Sequence, residues 1–378
     1  MNEKMRIGIL TLPLHTNYGG ILQAYALQTV LERMGHDVKV LDKPFKPQLL
    51  PWWKRPYSYT KRAIKKYILG EKVGIFQERN AYQRQATERK FTQPFIESNI
   101  HRLVISHLTD IKPSDFDAFV VGSDQIWRMM YFNGFWSTPL ASDAFLGFTE
   151  GWNIKRVSYA ASFGVDVPDI PEKDLDDCKK AIARFNGISV REESGVAACK
   201  KYLGVEAKWV LDQTMLLKRS DYQKLISKTP NPKPILMSYV LDETPEIAAL
   251  RSKIAKDKGL QIKLTNLPNT GTGERGTRPQ PPLEDWLKTF DESEYVINDS
   301  FHACVFSILF HKQFTVIGNK KRGLARFQSL LKLFGLEDRL ITSPEEYKDL
   351  PDIDYEKVDS ILNKKRGEAY KFLAEFLS

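Results

Sequence analysis

Short apolar segments that end at polar or glycine-rich loops recur along the chain, and this pattern constrains the fold more than any other feature. The first segment, Met5–Thr11, is strand-like and leads into a loop that contains Gly19 and Gly20. Apolar residues in Ile21–Met34 then recur with helical spacing, and His36–Leu41 is again strand-like. A strand, a glycine loop, a helix and a second strand in this order predict the start of a parallel α/β sheet.

Further apolar runs along the chain have the length of buried strands. These runs are Ala118–Val121, Arg156–Ala161, Gly187–Val190, Trp209–Leu211, Ile235–Val240, Gln261–Leu264, Tyr295–Ile297 and Phe314–Ile317. Asp124, Arg191 and Asp212 come after three of them, and His302 stands shortly after a fourth. Because the carboxyl ends of strands in an open α/β sheet face the binding crevice, we expect these side chains to converge on one edge.

The length of 378 residues suggests two domains. The proline-rich segment Lys228–Pro234 interrupts the strand pattern, and we interpret it as the linker. The first α/β domain then comprises residues 1–227, with an irregular basic insertion at about 44–92, and the second comprises residues 228–350. Residues 351–378 form a C-terminal helical segment, for which we expect packing against the first domain.

Cysteine usage indicates a reducing compartment, and hydropathy does not indicate a membrane-spanning segment. The cysteines Cys178, Cys199 and Cys304 are scattered and none forms a CxxC pair, which argues against a disulfide framework and a structural zinc site. The start of the chain does not have the pattern of a signal peptide, and no apolar run approaches the roughly 18 residues that span a bilayer. We therefore expect a cytoplasmic protein without a structural zinc site.

A basic and aromatic segment, Trp52–Leu69, carries much of the net charge of +9. It contains six Lys or Arg residues and no acid. Five aromatic residues are interleaved with them, namely Trp52, Trp53, Tyr57, Tyr59 and Tyr67. One interpretation is a solvated basic helix on the insertion; the other is peripheral contact with an anionic membrane surface or a lipid-linked substrate. Nucleic acid is not expected as a partner, because the chain has no helix-turn-helix, zinc-finger or RNP pattern.

The loop before the first helix is a candidate binding site. It contains Asn17, Tyr18, Gly19 and Gly20. Glycine lets the backbone approach a phosphate, and a helix N-terminus attracts anions. A tight turn without a ligand is the alternative, because the spacing is not GxGxxG and no Walker lysine follows.

Two charged side chains at strand ends have both a functional and a structural interpretation. Asp124 is placed either to act as a general base or to cap the next helix, and Ser123 beside it is a candidate binding residue. The guanidinium of Arg191 suits a carboxylate or phosphate, but it can also pair with Glu192 and Glu193. The residues alone leave both alternatives open.

His302 stands between a polar strand tip and an apolar helix. Histidine titrates nearest to neutral pH and therefore suits proton transfer, although a buried structural role is equally compatible with this position. Arg322 and Arg326 lie in the basic segment after the next strand. They form either a second anion site or a solvated basic loop.

Taken together, the motifs resemble the polysaccharide pyruvyl transferase family. The stretches that carry the resemblance are NYGGILQAYAL at 17–27, FDAFVVGSDQIW at 116–127, SYAASFG at 158–164, SVREESG at 189–195, LDQT at 211–214 and NDSFHACVFSILF at 298–310. The resemblance implies a GT-B-like fold of two Rossmann-like domains that face a cleft. It also implies transfer of pyruvate from phosphoenolpyruvate to two hydroxyls of one sugar, as a cyclic ketal, without a metal or nucleotide cofactor.

The resemblance assigns roles to individual residues. His302 matches the family's catalytic histidine, and Arg191 matches the arginine of its SVR motif. Many members carry Arg-Leu-His at the histidine motif, where this chain has Ser300-Phe301-His302. Either Arg322 or Arg326 replaces the missing arginine, or the donor site differs.

The partners implied by the resemblance are phosphoenolpyruvate and a sugar or lipid-linked oligosaccharide acceptor of cell-surface polysaccharide synthesis. His302 would protonate the donor and Asp124 would deprotonate the acceptor. A nucleotide-sugar glycosyltransferase on the same scaffold and a non-catalytic sugar-phosphate-binding protein are the alternatives.

Overall fold

A computed structural model describes residues 4–43, 50–68, 75–76, 85–122, 124–138, 140–227, 234–265, 279–319 and 324–378. Its strands are β1 Arg6–Leu10, β2 Asp37–Asp42, β3 Arg102–Val104, β4 Ala118–Val121, β5 Lys155–Ser158, β6 Ser189–Val190, β7 Lys208–Trp209, β8 Ile235–Tyr239, β9 Gln261–Leu264, β10 Ser293–Asn298, β11 Gln313–Ile317 and β12 Leu340–Ile341. Its α-helices are α1 Tyr18–Arg33, α2 Arg55–Tyr67, α3 Thr92–Asn99, α4 Met129–Trp136, α5 Leu175–Ile182, α6 Glu193–Ala198, α7 Arg219–Gln223, α8 Pro245–Asp257, α9 Leu283–Glu292, α10 Phe301–Leu309, α11 Ala325–Phe334 and α12 Tyr355–Leu377.

The first sheet is parallel and has the strand order β3-β2-β1-β4-β5. The short parallel pair β6-β7 continues it beyond β5 through isolated bridges from Val157 to Gly187 and from Ala161 to Val190. Strand β4 is buried along its whole length, as a continuous apolar run with helices on both faces requires. All seven carboxyl ends therefore point the same way.

The second sheet is also parallel, with the order β12-β11-β10-β8-β9. Its centre, β10, leads directly into the buried helix α10. The α/β fold class with two parallel, Rossmann-like sheets is confirmed. None of the described helices is both long and apolar enough to cross a bilayer.

Aromatic packing joins the two halves of the molecule. Tyr18 at the start of α1 lies with its ring centroid 5.5 Å from that of Trp286 in α9. Its hydroxyl donates a hydrogen bond to the carbonyl of Pro281. Tyr222 in α7 meets Phe306 of α10 at 4.9 Å. The core is therefore continuous from the first sheet to the second.

The C-terminal helix α12 lies against the first sheet's half of the chain. The guanidinium of Arg366 donates to the carbonyls of Met215 and Leu217, both at 2.7 Å. Phe376 packs against Gly187, where a Cβ would lie 2.4 Å from the phenylalanine ring. The side chain of Asp354 caps the helix by accepting from two backbone N–H groups. The proposed linker falls almost entirely at residues 228–233, outside the described residues.

Two expectations about element boundaries were wrong. Helix α1 begins at Tyr18, so Gly19 and Gly20 lie in its first turn and not in a loop. Asn17 has extended backbone angles, and its carbonyl accepts the first helical bond from the N–H of Ile21 at 3.0 Å. Helix α10 begins at Phe301 and includes His302. The sequence also gave no sign of the very short strands β3 and β12.

Candidate active site

Four side chains with ionisable groups meet where the carboxyl ends of the two sheets come together. Asp124 follows β4, Arg191 follows β6 and Asp212 follows β7, while His302 is the second residue of α10 after β10. All four are less than 9 % exposed. The convergence that the sequence predicted for them is therefore present in the fold, and it includes one residue from the second sheet.

Arg191 lies among three carboxylates. Its Nη1 donates to Oδ2 of Asp212 at 3.0 Å, and its Nη2 is 3.5 Å from Oδ1 of Asp124. Its Nε is 3.8 Å from Oε2 of Glu192. The guanidinium stacks 4.5 Å from the ring centroid of Phe301. Burial alone would lower the pKa of Arg191, but the carboxylates outweigh burial and raise it, so the residue stays charged.

Asp212 is held by a set of donors that favours its ionised form. Its Oδ1 accepts from the backbone N–H of Thr214 at 3.0 Å and from the hydroxyl of the same residue at 2.6 Å. Its Oδ2 accepts from Nε2 of Gln23 at 2.6 Å and lies 3.8 Å from Nε2 of His302. Burial raises the pKa of Asp212, but the charge that His302 carries when it is protonated, the charge of Arg191 and the Thr214 bonds hold it below its usual value.

Asp124 has a backbone conformation that few residues other than glycine adopt, with φ at +40°. Its N–H donates to Oε1 of Gln23 at 2.8 Å, and its Oδ2 accepts from Nδ2 of Asn17 at 2.9 Å. Burial raises the pKa of Asp124, but nearby positive charge, that of Arg191 above all, holds it below its usual value. Asp124 does not cap a helix, because a turn follows it and α4 begins only at Met129.

An open pocket of about 200 Å³ adjoins Asp124 on the side of the first sheet. It is lined by Leu12, Pro13, Leu14, His15, Asn17, Gly20, Ile21, Asp124, Gln125, Tyr131 and Phe135. Its walls combine apolar and aromatic surface with a few polar groups, as small-molecule sites do. The carboxylate of Asp124 therefore connects the buried charge cluster to space that a ligand can enter.

His302 meets the backbone of Gly19 across the boundary between the two sheets. A Cβ built on Gly19 would lie 2.0 Å from Nδ1 of His302. The first turn of α1 therefore packs directly on the imidazole. Gly19 therefore lets the backbone of α1 approach His302 closely. The sequence had suggested that this glycine lets the backbone approach a phosphate.

Burial lowers the pKa of His302, and the charges of Arg191 and Arg326 lower it further. Asp212 and Asp124 oppose this shift without cancelling it. The imidazole is therefore neutral near pH 7 in the free protein. A ligand that brings additional negative charge would shift its pKa upward, towards the imidazolium.

Several buried polar atoms of this cluster have no hydrogen-bond partner among the described residues. They are Nε and Nη2 of Arg191, Oε2 of Glu192, Nε2 of His302, and both side-chain polar atoms of Asn298 at the end of β10. Buried polar atoms are normally paired, so a group of unpaired ones needs an explanation. Here the donors and acceptors adjoin one another at the sheet edges, as a site completed by a polar ligand requires.

Arg326 in α11 brings a second guanidinium to the same place. Its charge centre lies 5.7 Å from the ring centroid of Phe301, the ring that Arg191 also contacts. It lowers the pKa of Glu192, although burial dominates and raises that pKa overall. Glu192 Oε1 accepts from Oγ of Ser162 at 2.9 Å and from the N–H of Phe163 at 3.0 Å. Of the two candidate replacements for the missing arginine, Arg326 thus adjoins the cluster.

The other predicted binding residues are distributed differently. Tyr18 is turned towards the second sheet, where its ring is buried against α9. Ser300 is the N-cap residue of α10 and is half-buried. Gly20 lines the open pocket. Ser123 and Arg322 lie outside the described residues.

Sequence reasoning did not single out Gln23 and Glu192 as site residues, and it placed Asp212 at the same sheet edge without giving it a role. Asp212 had a usable signal, because it follows a strand inside the LDQT stretch. Gln23 had none, since it sits within an apolar helix, yet it is fully buried and bonds to Asp212, Gln213 and the N–H of Asp124. Only the three-dimensional structure reveals that the side-chain amide of Gln23 bonds both to Asp212 and to the backbone of Asp124.

Comparisons with known proteins place this arrangement in a family and a fold. A family model described as polysaccharide pyruvyl transferase matches residues 17–321. No curated protein matches the chain. UGT89C1 of Arabidopsis thaliana, complexed with UDP-L-rhamnose, is similar with a TM-score of 0.52 at 10 % identity, over 100 % of this chain and 99 % of that one. The UDP-GlcNAc 2-epimerase of Methanocaldococcus jannaschii gives 0.48 at 11 % identity, over 99 % of each chain. The first likeness concerns the fold alone, and it confirms the GT-B-like architecture.

The contact between Gly19 and His302 gives a direct test of the site's packing. We expect Gly19→Ala to lower the thermal unfolding midpoint, because the added methyl group overlaps the imidazole, and overpacking of this kind costs about 1–3 kcal/mol. The matched control is Gly20→Ala in the same helical turn. There the nearest atom to a Cβ is Nδ2 of Asn17 at 3.4 Å, an ordinary contact. Equal midpoints for the two variants would contradict the packing described.

Proposed function

The chain belongs to the polysaccharide pyruvyl transferase family, whose model covers residues 17–321, and on that premise we propose the reaction it performs. It transfers the pyruvyl group of phosphoenolpyruvate to two hydroxyls of one sugar in a cell-surface polysaccharide precursor, and closes a cyclic ketal. The observation that carries the proposal is that buried atoms of Arg191, Glu192 and His302 make no hydrogen bond among the described residues and meet their charged neighbours only at 3.5–3.8 Å. The site thereby offers one polar ligand a cationic hydrogen-bond donor, a hydrogen-bond acceptor and a titratable nitrogen.

The reaction sets definite requirements for the site. Carbon 3 of the enol gains a proton, and the first sugar hydroxyl loses one as its oxygen attacks carbon 2. The carbon–oxygen bond to phosphate then breaks, and the second hydroxyl closes the ketal as its proton passes to the departing phosphate. One acid and one base thus suffice, and the proton that the base receives restores the acid after turnover.

His302 is the acid in this proposal. Its Nε2 has no hydrogen-bond partner among the described residues, and the Asp212 carboxylate lies 3.8 Å from that atom. The imidazole is neutral in the free protein because burial lowers its pKa. The carboxylate and phosphate of the donor add negative charge beside it and raise the pKa. Binding of phosphoenolpyruvate therefore protonates His302, which then supplies the proton that the reaction consumes.

Asp124 is the base. Nearby cations keep it ionised although it is buried, and it stands at the wall of the open pocket. A sugar in that pocket would have a hydroxyl within reach of the carboxylate, while Asn17 fixes the carboxylate's orientation through Oδ2. The acceptor therefore binds on the side of the first sheet. The donor lies between Asp124 and His302.

The donor's charges require cations, and the two arginines contribute unequally. Arg191 is shared among Asp124, Glu192 and Asp212, so most of its charge is already compensated. Its Nε and Nη2 make no hydrogen bond among the described residues, so each can donate one to an oxygen of phosphoenolpyruvate. Arg326, whose guanidinium lies 5.7 Å from the ring centroid of Phe301, supplies the second cation in place of the arginine that this chain lacks at position 300.

Substitution of His302 tests the acid role. His302→Gln keeps a hydrogen-bond donor of similar reach but cannot transfer a proton to carbon, so single-turnover phosphate release from phosphoenolpyruvate should fall by about 10²-fold or more. The rate of the unmodified protein should fall as pH rises through the raised pKa of the complex. The matched control is His101→Gln, because that histidine is exposed and pairs only with Glu32 among the described residues.

A folded His302→Gln protein with near-normal turnover would refute the acid role. Release of nucleoside diphosphate from a nucleotide sugar, with no phosphate release from phosphoenolpyruvate, would instead identify the protein as a glycosyltransferase.

Substitution of Arg326 tests donor binding. Removing one partner of a desolvated charge pair costs on the order of 2–5 kcal/mol, so Arg326→Ala should weaken phosphoenolpyruvate binding at least about tenfold in calorimetry. Arg191→Ala is a poor test, because it leaves buried carboxylates uncompensated and destabilises the fold itself. Lys332→Ala on the same helix is the control, since Lys332 is exposed and pairs with Glu193. Unchanged donor affinity in Arg326→Ala would remove this residue from the donor site.

A further inference from the structure

Helix α2 and the turn before it lie on the surface of the protein. The turn Trp52–Lys54 and the helix Arg55–Tyr67 contain no buried residue. Large apolar side chains nevertheless concentrate there. Those that are exposed are Trp52, Trp53, Tyr57, Ile64, Tyr67 and Ile68, with exposed fractions between 47 % and 75 %. Surface patches of this kind on soluble proteins mark interaction sites.

The helix presents its apolar side to solvent, and two half-buried arginines lie on the opposite side. At 3.6 residues per turn, Tyr57, Ile64 and Ile68 share one side, and Arg55 and Arg62 lie on the opposite side. The two arginines are half-buried, and they donate to the carbonyls of Leu50 at 2.7 Å and Ile75 at 3.2 Å. The three apolar residues are exposed. This is the reverse of a helix that packs on its own core.

The segment is also strongly cationic. Residues 50–68 contain six Lys or Arg residues, and no Asp or Glu. Lys61 is exposed and lies beside the apolar side of the helix, and Lys54 in the preceding turn is exposed as well. An apolar helix face beside such a concentration of positive charge is complementary to a surface that is both apolar and anionic.

We propose that this segment, Trp52–Ile68, is a docking helix that lies in the interface of an anionic lipid bilayer. Trp and Tyr side chains favour the headgroup layer, isoleucines enter the acyl boundary, and each basic residue near an anionic surface strengthens binding about fivefold. A second copy of the chain is a poorer occupant, because the contact would oppose six positive charges with six more. Nucleic acid would engage the cations and leave Ile64 and Ile68 without a partner.

The test is flotation of the full chain with vesicles of phosphatidylglycerol and phosphatidylcholine in equal parts, against vesicles of phosphatidylcholine alone. Binding should require the anionic lipid and should weaken as salt is raised. The charge variant carries Lys61→Gln, Arg62→Gln, Lys65→Gln and Lys66→Gln, and should bind at least about a hundredfold more weakly. The apolar variant carries Tyr57→Ser, Ile64→Ser and Ile68→Ser and should also lose binding, with an unchanged thermal midpoint because these side chains are exposed.

A matched control removes the same number of charges elsewhere. Lys253, Lys256, Lys357 and Lys364 are exposed, and their replacement by Gln should leave flotation unchanged. An equal loss of vesicle binding in this control would show that binding depends on net charge alone, and it would overturn the proposal of a docking helix. So would binding that does not depend on phosphatidylglycerol.

Two further results would assign the surface to another occupant and also overturn the proposal. One is a dimer in size-exclusion chromatography that the apolar variant converts to a monomer, without vesicle binding by the unmodified protein. The other is retention on a DNA duplex that the charge variant loses while vesicles are not bound. None of these outcomes depends on the pyruvyl transfer reaction, so the two proposals fail or stand separately.

Discussion

The ion pair between Arg191 and Asp212 is the interaction on which the rest of the site depends. Both side chains are almost completely buried, and taking two charges out of water costs several kcal/mol for each ion. The cost is offset because Asp212 also accepts three hydrogen bonds from Thr214 and Gln23. Replacing either member would leave an uncompensated charge in the interior. The pair therefore fixes the ends of β6 and β7 relative to α1.

The same pair connects the two sheets. Phe301 covers the Arg191 guanidinium, and His302, the next residue, faces Asp212 from the first turn of α10. Gly19 closes the contact from the first domain, where any larger residue would overlap the imidazole. The electrostatic state of the site is therefore set by the approach of the two domains. Ionised carboxylates and a neutral histidine are the consequence in the free protein, and negative charge on a bound donor would change the histidine first.

Those parts of the fold that depend on local patterns could be predicted from the sequence. Strands β4 and β9 have the predicted boundaries. Strand β4 is a short continuous apolar run of the kind that a buried parallel strand needs, whereas β9 is a largely exposed edge strand in which polar and apolar residues alternate. The convergence of Asp124, Arg191 and His302 also follows from local pattern, since parallel strands place their carboxyl ends together. The family resemblance supplied the pairing of two Rossmann-like domains.

What depends on distant contacts could not be predicted. The partner of Gly19 is 283 positions away in the chain, and no periodicity indicates that a glycine in a helix faces a histidine. Gln23 resembles any polar residue in an apolar helix until its partners Asp124 and Asp212 are in place. The basic segment had an ambiguous pattern, and only the burial of its residues shows that the apolar side faces outward.

The central claim is that His302 is neutral in the free protein and gains its proton when the donor binds. Nuclear magnetic resonance titration of ¹⁵N-histidine-labelled protein, with the His302 signal assigned from the His302→Gln variant, measures this directly. We predict a His302 pKa below the ordinary value of about 6.5 in the free protein, and a clear rise with saturating phosphoenolpyruvate. A pKa at or above the ordinary value without ligand, or one that phosphoenolpyruvate leaves unchanged, would contradict the account.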